Sequence, residues 1–375
     1  MRGDADVVVV GSGPAGGSAA YFLRQFGFRV LVVEKARLPR YKICAGGVPL
    51  AAMQNFPFSF SPVVEQWIQR MTFIHGKSQA THHIPRDSLA MVMRDRFDQF
   101  LLEHSKADVL DATPMTHVTQ DEKLVYVQIQ GRSKPLRASF AIGADGPNSR
   151  VAHCIGLRRM RKLGAALEAE VEPGNGPGML ESFRGRIVVE LGAVDDGYAW
   201  IFPKASHLSV GLGSTAKGTS LHARFSTCMT RLGIDLRSTR PKGHPLPVYS
   251  SPEPLHKGRI LLAGDAAGLV DPLTGEGIRP AIESGRMAAQ AIARRKIKDY
   301  SRNIELSIGR DMIWASRLAR LLYTWTGPGF NWLVRHKLIF QDLIRVTNNR
   351  LSYRQAIKRA PLYMLLALQR AKLER

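Results

Sequence analysis

Cysteine is scarce in this chain. Three residues, Cys44, Cys154 and Cys228, stand in 375. Their number is odd, they form no C-x-x-C pair, and no histidine accompanies them at metal-ligand spacing, so neither a disulfide framework nor a zinc site underlies the fold. A reducing compartment is the simplest setting. Long apolar runs are missing too: no stretch approaches the ~18 residues that a spanning helix requires. The N-terminus, MRGDADVVVVGSG, carries Asp4 and Asp6 where a signal peptide would be uncharged, which points to a mature, cytoplasmic protein. Internal repeats and low-complexity tracts are absent as well. What is present is globular: 45% hydrophobic and 22% charged residues, in a chain long enough for two or three domains.

Acid is in short supply. Against 53 Lys and Arg stand 31 Asp and Glu, a net charge of +22. Such a field attracts polyanions, whether nucleic acid, anionic lipid or phosphorylated substrates. From Ala291 to Arg375 there are 18 Lys and Arg against 5 Asp and Glu, so 13 of the 22 net charges lie in the last 85 residues. From about Asn303 the pattern is helical, with Leu318, Leu321, Leu322 and Trp325 at i, i+3, i+4, i+7 spacing and Arg317 and Arg320 between them. Together with Trp314 and Trp332 this reads either as a basic amphipathic surface for anionic lipid or as a helical cap with a solvated basic face. No recognisable nucleic-acid module is present.

The first 35 residues read strand, turn, helix, strand: DVVVV, GSGPAG, GSAAYFLRQFG, RVLVVEK. Residues 36–62 read as a Pro/Gly-punctuated loop, and SLAMVMRDRFDQFLLEHS as one helix, with Leu89, Val92, Met93, Arg96, Phe97 and Phe100 on a mostly apolar face. Between about Gly156 and Ser251 short β-like pieces alternate with turn clusters, as in an antiparallel sheet. GRILLAGDAAGLVDPLTGEGI then returns to a buried strand and glycine turn. The expected fold class is α/β (α+β): a discontinuous Rossmann-like domain over 1–155 and 256–300, an antiparallel β-sheet substrate domain over 156–255, and a basic C-terminal helical region over 301–375.

Gly11-Ser12-Gly13-Pro14-Ala15-Gly16 follows a strand and opens a helix. Glycine there allows a tight turn and lets backbone approach a pyrophosphate, whose charge the helix N-terminus stabilises. Glu34 lies eighteen residues after Gly16, at the end of the second strand, where a carboxylate accepts hydrogen bonds from an adenosine ribose. Gly264-Asp265 and Gly143-Ala144-Asp145-Gly146 are further glycine turns with an acid, the first suited to a flavin's ribityl chain, the second equally a plain β turn. In PRYKICAGGVPL, Cys44 sits in a basic, glycine-bearing loop. Arg40 and Lys42 read either as groups that lower its pKa or bind a diphosphate, or as solvated surface charge.

These motifs, in this order, resemble the geranylgeranyl reductase family of FAD-dependent oxidoreductases, within the wider aromatic-hydroxylase-like flavoprotein fold. The resemblance runs from about residue 5 to 300, through the dinucleotide fingerprint, C-A-G-G-V, the Arg94 to Asp98 segment, GADGPNSRV, GYAWIFP and GDAAGLVDPLTGEGI. It implies FAD held by Gly11, Gly13, Pro14, Ala15, Gly16, Glu34, Lys35, Arg94, Asp145, Gly264, Asp265, Gly275, Gly277 and Ile278, with the 272–277 loop along the isoalloxazine. It implies Cys44, Tyr198 and Trp200 at the reacting centre and Gly46, Gly47 and Phe202 at the substrate. The alternating aromatics read equally as sheet core. Departures from the family pattern, at Asp195, Ala45 and Arg279, surround the implied pocket and leave substrate identity open.

The resemblance implies reduction of prenyl C=C bonds by hydride from reduced flavin. An isolated alkene resists hydride, so protonation to a tertiary cation has to help, and aromatic faces stabilise such a cation by about 1–2 kcal/mol. A free thiol, with pKa around 8.5, is a poor acid for that step, so Cys44 suits positioning or proton relay. Only one dinucleotide fingerprint is present, so NADPH, NADH or a ferredoxin would bind without a linear motif. A prenylated or lipid substrate at an anionic membrane surface is the expected partner, with no nucleic acid. A flavin monooxygenase of the same fold and a non-enzymatic basic binding protein remain the alternatives.

Overall fold

Val7–Val10 is four valines in a row, every one buried. β-branched residues favour the pleat, and a run without alternation suits a strand covered on both faces. It pairs in parallel with Val30–Val33 on one side and Phe140–Gly143 on the other. In the computed structural model, which describes residues 3–157, 163–172, 178–236, 239–330 and 336–373, this strand lies inside a six-stranded sheet. The order is His256–Lys257, Ile260–Leu262, Phe140–Gly143, Val7–Val10, Val30–Val33, Asp108–Leu110, parallel except for the edge strand His256–Lys257. Because the chain leaves Val7–Val10 toward one neighbour and returns beside it on the other, a crevice opens at its carboxyl end, where doubly wound sheets bind ligands. Helices Pro14–Gln25, Arg94–Ser105 and Ile278–Ala293 pack together in this unit, which comprises Met1–Cys44, Met93–Leu163 and Pro245–Arg310.

The second unit comprises Ala45–Val92, Gly164–His244 and Asp311–Arg375. Its seven-stranded sheet runs Lys242–Pro247, Leu163–Val171, Leu208–Ser214, Gly197–Pro203, Arg186–Leu191, Arg70–His75, Ser78–His83. It is mainly antiparallel, with a parallel join between Arg70–His75 and Arg186–Leu191. Strand period two divides the side chains of Gly197–Pro203 between faces. Ala199 and Ile201 enter a core with Leu208, Val210 and the helix residues Phe225, Cys228 and Met229, while Tyr198, Trp200 and Phe202 point the other way. On that side Phe202 packs against a second cluster, which includes Ile187, Met91 and Phe340.

The sequence divides the chain at 155/156, 255/256 and 300/301; in the division by packing, residues 45–92 fall in the second unit, where Arg70–His75 joins its sheet, and 311–375 falls there too. Several expectations about single elements are corrected. Leu89–Val92 is a strand, not the start of a helix. It is the middle strand between Gly47–Pro49 and Val64–Trp67, with Ala90, Met91 and Val92 all buried, and the helix begins only at Arg94. The 36–62 loop likewise contains Gly47–Pro49 and a short helix, Leu50–Met53. In the helix Arg310–Thr324 the buried face is Met312, Ala315, Leu318 and Ala319, whereas Leu321 and the following Trp325 are 52% and 60% exposed. The expected apolar stripe therefore turns outward after Leu318, and Trp332 lies outside the described residues.

Candidate functional site

The turn after Val7–Val10 is built from close backbone approach. Gly11 has φ +101°, and a Cβ there would lie 2.3 Å from the Ala144 carbonyl oxygen. A Cβ on Gly16 would lie 1.8 Å from the Gly11 carbonyl oxygen. Only glycine tolerates that conformation and that contact. Pro14 occupies the first turn of the helix, where its missing N–H costs nothing, and Ala15 is buried beneath it. The helix therefore presents its free N–H groups at the crevice with no side chain in the way.

Four charged side chains brace this turn. Glu34 is 4% exposed; its Oε2 accepts from the Ser12 N–H at 2.9 Å and the Ser12 hydroxyl at 2.7 Å, and its Oε1 from the Ala36 N–H at 3.0 Å. Arg40 bridges Glu34 and Asp98, each at 3.3 Å, and Arg94 grips Asp98 through two bonds of 2.8 Å. Burial works to raise the Glu34 pKa, but Ser12, Arg40 and Ala36 outweigh it and hold the carboxyl below its usual range. Arg94 behaves in the same way: burial disfavours its charge, and Asp98 and Cys44 more than restore it. One donor is left over. Among the described residues Arg40 Nη1 is buried with no partner, and Arg40 and Arg94 each bring a guanidinium nitrogen within 4 Å of where a Gly13 side chain would begin. An unsatisfied buried donor beside a bare-backbone helix N-terminus fits a pyrophosphate. By this test the residues fit FAD.

Other expected residues divide. Gly264 and Asp265 follow the strand Ile260–Leu262 in a 3-10 turn, and Asp265 Oδ1 lies 3.3 Å from where a Gly277 side chain would start. Burial raises the Asp265 pKa, against the pull of Lys42 and Arg94, so all three belong to one site. Burial lowers the Lys42 pKa, and Arg94 adds to that. Lys42 is thus no solvated surface charge. Gly275 has φ +68° in the same turn. Three others are placed as follows. Asp145 accepts from the Ser149 hydroxyl at 2.6 Å and the Arg150 and Val151 N–H groups at 2.7 and 3.1 Å, which makes it the brace of the helix Arg150–Cys154. Lys35 is exposed, and Ile278 is a buried core residue at the start of Ile278–Ala293.

In the second unit, Gly46 has φ +67°, and a Cβ would collide with the Val92 carbonyl oxygen at 2.1 Å and Lys204 Nζ at 2.4 Å. Lys204 is 1% exposed and donates to the Ala45 carbonyl at 2.6 Å and the Val92 carbonyl at 2.8 Å. It clamps the glycine turn at the end of the aromatic strand. Gly47 faces Phe202, whose Cε2 is 3.3 Å from the Gly47 Cβ position. Tyr198, Trp200 and Phe202 form a tilted aromatic row with centroids 6.0 and 6.5 Å apart, and the buried Trp200 indole N–H has no acceptor among the described residues.

Sequence reasoning gave no role to Asp98, Lys204 or Glu276, and left Arg40 between two readings. A lysine directly after GYAWIFP was the available signal for Lys204, since a cation rarely ends a buried strand without acceptors. Glu276, in the turn before Ile278–Ala293, has a side chain 10% exposed, and its carboxyl Oε1 is buried without a partner among the described residues.

Residues 4–173 match the family described as an FAD binding domain. The geranylgeranyl diphosphate reductase of Arabidopsis thaliana chloroplasts is 30% identical over 85% of this chain and 70% of its own. The digeranylgeranylglycerophospholipid reductase of Methanocaldococcus jannaschii is 29% identical over 79% of both chains. In fold, the chain matches a geranylgeranyl bacteriochlorophyll reductase-like protein from Thermoplasma acidophilum with a TM-score of 0.74 at 21% identity, over 96% of this chain and 95% of that one.

Proposed function

The chain belongs to the geranylgeranyl reductase family of FAD-dependent oxidoreductases, and on that premise we propose that it saturates C=C bonds of a geranylgeranyl-type prenyl chain. The observation that carries the reading is the bare turn at Gly11 to Gly16 with the unsatisfied Arg40 Nη1 beside it, in a chain whose relatives are named as reductases of geranylgeranyl compounds. FAD, when bound and reduced, supplies the hydride.

The chain's own residues do the rest. Gly11, Gly13 and Gly16 admit the pyrophosphate to the helix N-terminus, and Arg40 and Arg94 offset its charge; Asp265 and the turn to Gly277 hold the flavin end. Tyr198, Trp200 and Phe202 offer a dry aromatic row to the prenyl chain, and their faces stabilise positive charge on a tertiary carbon by about 2 kcal/mol when desolvated. Gly46 and Gly47, held by Lys204, shape the neighbouring turn. Cys44 lies against the Arg94 guanidinium, and its role is to position that loop rather than to act as the acid.

Electrons come from NAD(P)H or a ferredoxin. A prenyl chain gains about 0.8 kcal/mol per buried methylene, so its substrates reside in membranes. Among the described residues no helix is long and apolar enough to cross one. Exposed Leu321 and Trp325, following exposed Arg317 and Arg320, suit contact with an anionic membrane surface. The test is anaerobic incubation of dithionite-reduced, FAD-loaded protein with prenyl diphosphates, prenylated pigments and prenyl lipids, read by mass. Gain of two hydrogens per double bond supports the reading. No gain on any of them, or an oxygen-dependent product heavier by oxygen, overturns it.

A further inference from the structure

Two arginines and a histidine stand side by side in the seven-stranded sheet. Arg186 opens the strand Arg186–Leu191 and is in register with Arg70, the first residue of the parallel strand Arg70–His75. Arg70 is paired in turn with His83, the last residue of Ser78–His83. Registered residues on neighbouring strands share a face about 4.8 Å apart, so the three basic side chains form one row. By strand period two Arg186 is on the side of Val188, which packs with Ile201 and Leu208, whereas Tyr198, Trp200 and Phe202 point the other way. The row is therefore separate from the aromatic one.

The local backbone fixes this row. Gly185 takes φ +62° between the helix Gly178–Phe183 and the strand. Its carbonyl accepts from the Gln69 and Arg70 N–H groups at 2.8 and 3.0 Å, and its own N–H donates to the Gln66 side-chain oxygen at 3.0 Å. Arg186 is thereby held beside Arg70. Its guanidinium carbon lies over the Phe183 ring, 5.0 Å from the centroid, and its Nε is buried with no partner among the described residues. The acids of this stretch are taken: Glu181 pairs with Arg184 at 2.8 Å and Glu190 with Arg231 at 2.6 Å. Like charges directly opposite each other weaken a sheet. Burial lowers the Arg186 pKa, and the neighbouring Arg70 adds to that. An anion from outside would relieve both.

From this arrangement we infer that Arg186, Arg70 and His83 bind the phosphate or diphosphate group of a ligand. Each guanidinium presents paired N–H donors that match two phosphate oxygens, and an imidazole N–H supplies a further donor. Arg186 is half-buried, while Arg70 and His83 are exposed, so the group is reached from solvent. Two sources carry that chemistry, a free diphosphate and the headgroup of an anionic phospholipid. No part of the site depends on what the flavin reduces.

The test titrates FAD-loaded protein with inorganic pyrophosphate at physiological ionic strength, followed by calorimetry; the bound FAD keeps the probe out of the Gly11 to Gly16 turn. Wild type should bind it saturably. Arg70→Gln with Arg186→Gln should weaken that binding by roughly tenfold or more, the loss expected for hydrogen bonds to a charged group. Arg294→Gln with Arg302→Gln removes the same charge from exposed positions of the first unit and should leave the binding unchanged. Arg70→Gln alone, at an exposed position, should weaken it several-fold and serves if the double variant does not fold. Wild type without saturable binding overturns the inference, and so does an equal loss in the two double variants, which would leave only the field of the whole protein. Phosphatidylcholine vesicles with and without phosphatidic acid then distinguish the sources. A lipid headgroup is the ligand if Arg70→Gln with Arg186→Gln releases the protein from the acidic vesicles and pyrophosphate displaces wild type from them. A free diphosphate is the ligand if vesicle binding is untouched while pyrophosphate binding is lost.

Discussion

Glu34 and Glu276 are glutamates of the same unit, Glu34 buried and the Glu276 side chain 10% exposed, both next to a glycine turn, and their surroundings drive them in opposite directions. Around Glu34 every neighbour is a donor: Ser12, Ala36 and Arg40 hold it charged. Around Glu276 the neighbours include Asp271 and Glu283, its contact with Arg279 is long, and one oxygen has no partner among the described residues. Burial acts on both. What decides the direction of each shift is the balance of donors and acids around the carboxyl.

The largest expected effect is at the braced turn. Gly16→Ala puts a Cβ 1.8 Å from the Gly11 carbonyl, and the purified variant should show no flavin absorbance. Retained FAD would mean that the turn is not the pyrophosphate site. Next is Asp98→Asn, which leaves the guanidiniums of Arg40 and Arg94 facing a neutral amide. Stripping a buried pair of one partner costs about 3–5 kcal/mol, and the urea midpoint should fall accordingly. A change under about 1 kcal/mol would place these charges in the surface-pair class.

The comparison itself is tested by pH. Glu276 has its pKa raised from 4.5 to about 7, so the stability of its neutral form is present in full below pH 4.5 and is lost as pH rises through about 7. For a shift of that size the loss is about 3 kcal/mol in the FAD-free protein, at ~1.4 kcal/mol per pH unit. Glu34 works the other way: its stabilisation holds above the ordinary carboxyl range and disappears as pH falls through its lowered pKa. Urea midpoints between about pH 5 and 8 should therefore decline in wild type and stay flat in Glu276→Gln. Parallel curves would remove the distinction between the two glutamates. The smallest effect is expected in the other unit, where Leu321→Ser with Trp325→Ser should weaken binding to anionic vesicles by roughly tenfold and leave turnover of a soluble short-chain prenyl diphosphate unchanged. Unchanged vesicle binding would assign the exposed pair no lipid contact.

The cofactor half of the molecule was legible in the sequence because it is made by backbone. Gly11, Gly16 and Gly264 leave a linear trace, since only glycine satisfies their contacts. The charge network was less so. Asp98 is four residues from Arg94 and could be paired by helix spacing, but Arg40 reaches both Glu34 and Asp98 across the fold, a contact that no local period encodes. Leu89–Val92 misled because its apolar residues run straight into the helix that follows, and burial between two strands leaves the same sequence trace as a helix face. Glu276 was invisible for a related reason: an acid at a helix start reads as favourable with the helix dipole, and only the positions of Asp271, Arg279 and Glu283 show it short of donors.

The most direct measurement is anaerobic mixing of the reduced, FAD-loaded protein with a geranylgeranyl substrate while flavin absorbance is followed. The account predicts that oxidised flavin returns without oxygen, one equivalent for each double bond saturated. Flavin that stays reduced until oxygen is admitted would contradict it.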